Sequence, residues 1–584
     1  MFLRTHHRFK DGKDHVYWSL SETIRTPEGP RQRTLCYLGE LNSSDERRWR
    51  KTVSVFNHEG EEKQLSLFPS DRPIPDDDPN VVQIRLDRVA WERPRECGNV
   101  VMGLSLWKRL ELDRFWEEAI DPEPGDVRWS SVAAILAINR LIAPRSELSI
   151  EERWYPTTAL DDLLGIPEEK INTDRLYRCL DLLLPHKEAL EKHLRTKYGE
   201  LFGASFEVLL YDLTSTYFEG EAKANSKAKR GYSRDHRSDC KQVLIALVVS
   251  EEGFPITYEV FDGNRRDVTT LEEVINTIEA RYGKAKRVWV FDRGIVSEEN
   301  LKILRAHDGQ YLVGTPRSQL KQFESELTTR GWKAIHEDVE VKLVSMPTGD
   351  ETYVLCKSQG RKEKEKAMRE RSMKRVEESL TKLSKRIAKG QIKDEVKIER
   401  RIGALLARSP QTAGLYQAKL LKSKGTLKLQ WETSEVKTKW ASFRDGHYLL
   451  RTNLKDEQPE KLWEKYMQLV EAEAAFRALK SELAVRPIWH RKGSRVEAHI
   501  MVAFLGYALW VTLKHSLKHA RLPLSPMKAL HLAGRVQSGD ILLETTDQRM
   551  LCLRRISKRD QASAQLFEAL NISLPHRLTR DLEF

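Results

Sequence analysis

The chain has 584 residues, enough for two to four domains, and its 40% hydrophobic and 32% charged content describes a globular protein with ample core, not a disordered or fibrous one. A net charge of +12 favours a polyanionic partner through phosphate contacts. The six cysteines show no C-x-x-C pairing and no metal-ligand spacing, which argues against a disulfide framework and against structural zinc.

The N-terminus, Met1-Phe-Leu-Arg-Thr-His-His-Arg8, is polar at once and does not read as a signal peptide, so a reducing cytoplasm is expected. Residues 1–70 alternate like a small β-module, with His15–Leu20 and Gln32–Leu38 able to pair across Pro27–Pro30. Residues 71–97 read as a linker because they open on the Pro- and Asp-rich run Asp71–Pro79. Residues 98–204 read as a helical domain. Ser130–Ile142 has helical period and stops before Pro144, Asp174–Leu184 stops before Pro185, and Leu190–Lys197 continues the pattern. No helix-turn-helix signature singles out a recognition helix.

From residue 205 the pattern turns strand-like. Val208–Asp212, Gln242–Val249 and Pro255–Phe261 are expected as three antiparallel strands, followed by a helix at Thr270–Ala280, a strand at Val288–Phe291, a helix near Glu298–Arg305 and a strand at Tyr311–Val313. That order predicts an α/β fold with an RNase H-like mixed sheet flanked by helices, its first core segment at 205–315. Residues 316–455 are expected to interrupt it as a β-rich insertion with a charged helical hairpin. Val376, Leu380, Leu383 and Ile387 recur at helical spacing, Lys389-Gly390 turns, and Val396, Ile398, Ile402 and Leu405 continue. Residues 456–520 complete the core. Their apolar run Ala498–Leu513 is shorter than the roughly 18 residues a spanning helix wants and reads as a buried core helix, with no membrane association. Residues 521–584 read as a loosely helical tail.

Three carboxylates carry the chemistry. Asp212 ends the run Phe206–Tyr211 and Asp292 ends Arg287–Phe291, while Glu473 lies in a helical segment from Tyr466 to Lys480. Either Asp alone fits an Asx-type turn as well as a ligand role. Together they end strands expected at the sheet centre, where both could reach one metal. At roughly 100° per residue, Tyr466, Glu473, Arg477 and Lys480 share one helix face, which suits either a solvated ion-paired stripe or a phosphate backbone beside a metal. Two Mg²⁺ ions about 3.5–4 Å apart in such an oxygen cage stabilise both oxygens of an in-line phosphoryl displacement.

These motifs resemble those of bacterial DDE transposases of the insertion-sequence-four superfamily. That family carries Tyr-x2-Arg-x3-Glu-x6-Lys around its catalytic Glu. Tyr466, Glu473 and Lys480 keep the spacing, whereas Leu469 stands at the Arg position and Arg477 is a replacement candidate on the same face. Tyr211-Asp212-Leu-Thr-Ser215, Phe291-Asp292-Arg293-Gly294, Gly231-Tyr-Ser-Arg-Asp-His-Arg237, Gly253-Phe-Pro-Ile256 and Arg486-Pro-Ile-Trp-His490 are similar to further family segments. The resemblance implies a nucleoid-associated enzyme that binds double-stranded DNA at the terminal inverted repeats of an insertion sequence. It would hydrolyse the element ends and join the 3′-hydroxyls to target DNA, acting as a homodimer in a synaptic complex. Asp212 would bridge two Mg²⁺ ions, with Asp292 and Glu473 each holding one and Mn²⁺ as a substitute. Arg234, Arg237 and Arg293 are candidate phosphate contacts. Trp431 and Trp440 could stack a flipped base, although core packing is the commoner fate of a Trp. The remaining alternatives are a catalytically inactive, co-opted DNA-binding relative and an RNase H-like nuclease without strand transfer.

Overall fold

The computed structural model describes the chain except at residues 1, 11–12, 27–28, 41–51, 57–61, 67–81, 124, 285, 293, 337, 346–350, 424–425, 456, 547, 576–577 and 579–584. It divides into two compact units, Met1–Leu180 together with Thr512–Phe584, and Asp181–Val511.

In the first unit, Phe2–Lys10, Lys13–Thr26 and Gly29–Glu40 form an antiparallel sheet in which Leu20 pairs with Cys36, so the two runs read as a hairpin meet. The Pro- and Asp-rich run at the start of the expected linker lies outside the described residues. The rest of that stretch is not linker: Val82–Arg85 pairs with Thr52–Phe56, and Ala90–Glu96 pairs with Gln537–Glu544. The loosely helical tail expected at 521–584 is corrected by the same sheet, because Gln537–Glu544 and Met550–Ile556 form a hairpin against Ala90–Glu96. Charged residues inside these strands disguise them. Arg95 binds Asp161 and Asp162, and Arg554 binds Asp540 and Asp162, all nearly excluded from solvent. Each buried charge is paired, which is what makes its burial tolerable. The helices Gly98–Arg109, Leu112–Ile120 and Trp129–Ile142 follow.

The second unit is built on one nine-stranded sheet. Its strands in chain order are β1 (Val208–Tyr217), β2 (Gln242–Ser250), β3 (Pro255–Asp262), β4 (Val288–Phe291), β5 (Gln310–Gly314), β6 (Lys333–His336), β7 (Val339–Ser345), β8 (Thr352–Ser358) and β9 (His447–Thr452). The spatial order is β3-β2-β1-β4-β5-β9-β8-β7-β6. β1 to β3 are antiparallel neighbours, and β4 and β5 run parallel to β1. This is the RNase H-like arrangement expected from the sequence. β1 and β2 are buried almost throughout, so their apolar runs are continuous instead of alternating.

Helices cover both faces. Leu209, Tyr211 and Leu213 of β1 pack with Leu271, Val274 and Ile278 of α1 (Leu271–Tyr282) and with Leu301 and Leu304 of α2 (Glu298–Ala306). Because side chains alternate along a strand, Leu210, Asp212 and Thr214 face the opposite side. The segment 316–455 is not wholly separate from the core. Four of its strands extend the central sheet, since β9 returns to pair with both β5 and β8. The expected hairpin is α3 (Gln359–Ala388) and α4 (Glu395–Ala407). Val376, Leu380, Leu383 and Ile387 pack on Ile398 and Ile402 and on the ribbon Tyr416–Ser423/Thr426–Thr433. Val396 is exposed, contrary to the expected stripe, whereas Ile398 and Ile402 are buried and Leu405 packs partly buried against the same core.

The remaining core elements are α5 (Pro459–Met467), α6 (Leu469–Arg477) and α7 (Gly493–His519). α7 exceeds the expected 498–513 run and is long and apolar enough to cross a bilayer, yet 94% of its apolar window is buried in protein. Within the second unit Phe504 packs on Tyr258 of β3, and the Tyr507 hydroxyl donates to the Gly253 carbonyl at 2.8 Å.

Candidate active site

Asp212 sits in the middle of β1, on the face that α6 covers. β4 pairs with β1 in register, Phe291 opposite Tyr211, so Asp292, the next residue, follows on the neighbouring strand at the level of Asp212. Adjacent strands are separated by about 4.8 Å, which puts the two Asp within reach of a common ion. α6 turns Leu469, Ala472, Ala475 and Phe476 inward and leaves Glu473 and Arg477 exposed. Asp212, Asp292 and Glu473 line one cavity of about 410 Å³.

Asp212 registers the charges around it. Burial pushes the half-buried Asp212 carboxyl up from its ordinary 3.8 to about 7, and the charges of Asp292 and Glu473 add to the rise. The Leu213 amide, donating to Asp212 Oδ1 at 2.7 Å, and the Arg234 guanidinium oppose it. An Asp212 carboxyl that resists ionisation beside two further carboxylates is one a divalent cation would stabilise, and an all-oxygen donor set suits Mg²⁺ or Mn²⁺. Four cations, Arg234, Arg477, Lys480 and Arg486, also line the cavity.

Not every expected residue is there. Tyr466 is absent from the cavity lining: it belongs to α5, and its hydroxyl occupies the space that a side chain at Gly314, the last residue of β5, would need. α5 and α6 are separate helices joined at Gln468, so the stripe expected at a constant angle per residue is broken between Tyr466 and Glu473. Leu469, at the family's Arg position, does line the cavity. Lys480 reaches it from a π-helical turn, Ala478–Glu482, that follows α6.

Arg234 lines the cavity while paired with Asp267. Arg237 does not line it; it pairs with Asp239 and Glu219 and lies over the Tyr217 ring. Arg293 lies outside the described residues. Trp431 is half-buried against the α3/α4 core. Trp440, also half-buried, stacks on Phe443 with centroids 5.3 Å apart and lines a second cavity of about 1000 Å³ with Lys321, Lys437 and Arg444. Neither Trp lines the carboxylate cavity.

Sequence reasoning missed Arg486 and Asp235 as site residues. Arg486 lines the cavity, and Asp235 bonds both Lys480, at 3.2 Å, and Arg486. Both sat in segments matched as motifs, Gly231–Arg237 and Arg486–His490, but nothing in the sequence says that the two segments meet.

The family model described as "Transposase DDE domain" matches residues 204–509, more than half of the chain. No curated protein matches. Among solved structures the chain is similar to piggyBac transposase, seen by cryo-EM in a synaptic complex with hairpin DNA. Identity is 9% and the TM-score 0.35, over 76% of this chain and 81% of that one, a likeness too slight to bear on function. The matched segment begins just before β1 and ends inside α7, enclosing all three carboxylates, and the chain belongs to the family that carries the transposase DDE domain.

Proposed function

We propose that the protein is a DNA transposase that hydrolyses DNA at the ends of an insertion sequence and joins the freed 3′-hydroxyls to target DNA. The observation that carries the reading is the convergence of Asp212, Asp292 and Glu473 on one cavity rimmed by Arg234, Arg477, Lys480 and Arg486. Carboxylates and guanidinium groups in one cleft suit a phosphodiester held beside divalent cations. The Tyr466, Glu473 and Lys480 spacing supports membership of the insertion-sequence-four group and a bacterial source.

Asp212, Asp292 and Glu473 would hold the two Mg²⁺ ions. When bound, such ions supply Lewis-acid stabilisation of the attacking and leaving oxygens. The chain's own residues do the rest. The Leu213 amide fixes the Asp212 carboxylate, and Arg234 favours its ionised form. Arg477 and Lys480, which line the same cavity as Glu473, would bind phosphate oxygens. The in-line geometry that phosphoryl transfer requires comes from this positioning, not from covalent chemistry. The partners are the element's terminal inverted repeats and target duplex, held by a homodimer in a synaptic complex.

The test is an assay of purified protein with Mg²⁺ and a labelled duplex taken from the DNA flanking the reading frame. Strand-transfer products are expected. Cleavage without joining would reduce the protein to a nuclease, and binding without cleavage would make it a co-opted DNA-binding relative.

A further inference from the structure

Asp235 is a carboxylate with 5% of its side chain exposed, and it pairs with two cations that line the carboxylate cavity. Lys480 approaches Asp235 Oδ1 at 3.2 Å, Arg486 bonds the same oxygen, and Oδ2 is buried without a hydrogen-bond partner among the described residues. An ion pair built for stability alone would be expected to use both carboxylate oxygens, because a buried carboxylate left half-satisfied is costly. Here both cations share one oxygen.

The loop that carries Asp235 is tied down. Gln242 Nε2 donates to the Tyr232 carbonyl at 3.0 Å, and the Arg237 amide donates to Ser233 Oγ at 3.0 Å. Lys480 needs such an anchor. It is largely buried beside Arg234, and burial together with that like charge pulls its ammonium down to about 8. Arg486 comes from beyond the π-helical turn, and among the described residues Asp235 is the carboxylate that pairs with both cations.

We propose that Asp235 is a positioning residue that sets Lys480 and Arg486 together as a two-cation clamp for a DNA phosphate next to the Asp212, Asp292 and Glu473 cavity. This rests on reading the cavity as the DNA-cutting site. The clamp holds a phosphate beside the one that reacts and fixes the register of the strand over the carboxylates, whereas Asp235 itself touches no DNA.

The test uses the full chain and a short duplex of arbitrary sequence, with Ca²⁺ in place of Mg²⁺ so that binding is read without cleavage. Each phosphate contact contributes about 0.9 to the steepness of log affinity against log salt. Asp235→Asn is expected to lower that steepness by roughly two contacts and to weaken binding about tenfold or more at moderate salt. Introduced into a Lys480→Gln, Arg486→Gln double variant, Asp235→Asn is expected to change binding less than about twofold, because its effect passes through the two cations. A merely structural Asp235 would add its full loss on that background. An unchanged salt dependence in Asp235→Asn, or full additivity, overturns the proposal. Where Asp235→Asn does not fold, Lys480→Gln and Arg486→Gln singly carry the test. Each should lower the steepness by about one contact, and no change in both overturns the clamp. Wild-type cleavage of the flanking-DNA duplex in Mg²⁺ is scored separately. Its absence overturns the transposase reading, and only a wild type that binds no duplex overturns both.

Discussion

Asp212 has the most sharply defined chemistry of any residue in the cavity. It binds its proton more tightly in the folded chain, where its carboxyl is pushed up to about 7, than in the unfolded chain at 3.8. Folding therefore takes up a proton between those values. The stability this contributes is present in full below the lower pH and is lost as the pH rises through the higher one. Thermal melts in EDTA should show the wild type losing stability relative to Asp212→Asn between pH 3.8 and about 7. A difference that stays constant with pH would contradict the burial and charge crowding given as its cause. Mg²⁺ should flatten the trend, because it binds the ionised form. Asp212→Asn and Glu473→Gln should each retain duplex binding and lose Mg²⁺-dependent cleavage by more than the roughly 10–100-fold that loss of an outer-shell partner costs. Gel-shift and cleavage assays on the same preparations check both halves, and retained cleavage would refute the site.

Among the elements, two junctions carry specific consequences. Gly314 at the end of β5 leaves room for the Tyr466 hydroxyl of α5, and a side chain there would collide with it. Gly314→Ala should cost about 1–3 kcal/mol by overpacking, with part recovered by Tyr466→Phe; urea unfolding of the two variants measures this. In the first unit, Arg554 serves Asp540 and Asp162, both almost solvent-excluded. Arg554→Met leaves two buried carboxylates short of a partner and should cost about 3–5 kcal/mol in the same measurement. These junctions also mark where the sequence stopped being legible. β2 and β4 could be read because strands buried on both faces are continuous apolar runs ended by turn residues, whereas β1 runs on through Asp212 to Tyr217, past its expected end, because its Thr and Ser side chains are buried in the sheet. The hairpin Gln537–Ile556 could not, because its partner strand, Ala90–Glu96, is remote in sequence and its buried Asp540 and Arg554 look like surface charges. Tyr466 was misplaced for a local reason, the helix junction at Gln468, which periodicity does not reveal.

At the scale of the whole molecule, a family match spanning β1 to α7 accounts for the sheet and for the order of its carboxylates along the chain. What composition and motif order could not supply was the meeting of distant segments: Asp235 with Lys480 and Arg486, and four strands of residues 316–455 with the central sheet. The +12 charge is expected to show as duplex binding that weakens steeply with salt. It does not by itself locate the proposed reaction, which would depend on three carboxylates from far-apart segments sharing divalent ions. Iron-mediated hydroxyl-radical cleavage tests that most directly: Fe²⁺ replaces Mg²⁺ in the full-length protein, ascorbate and peroxide are added, and the backbone cuts are mapped by mass spectrometry. The expected result is cuts clustered together around Asp212, Asp292 and Glu473, all three sets lost in Asp212→Asn. Cuts at one of these segments alone, or at none, would contradict a shared metal site.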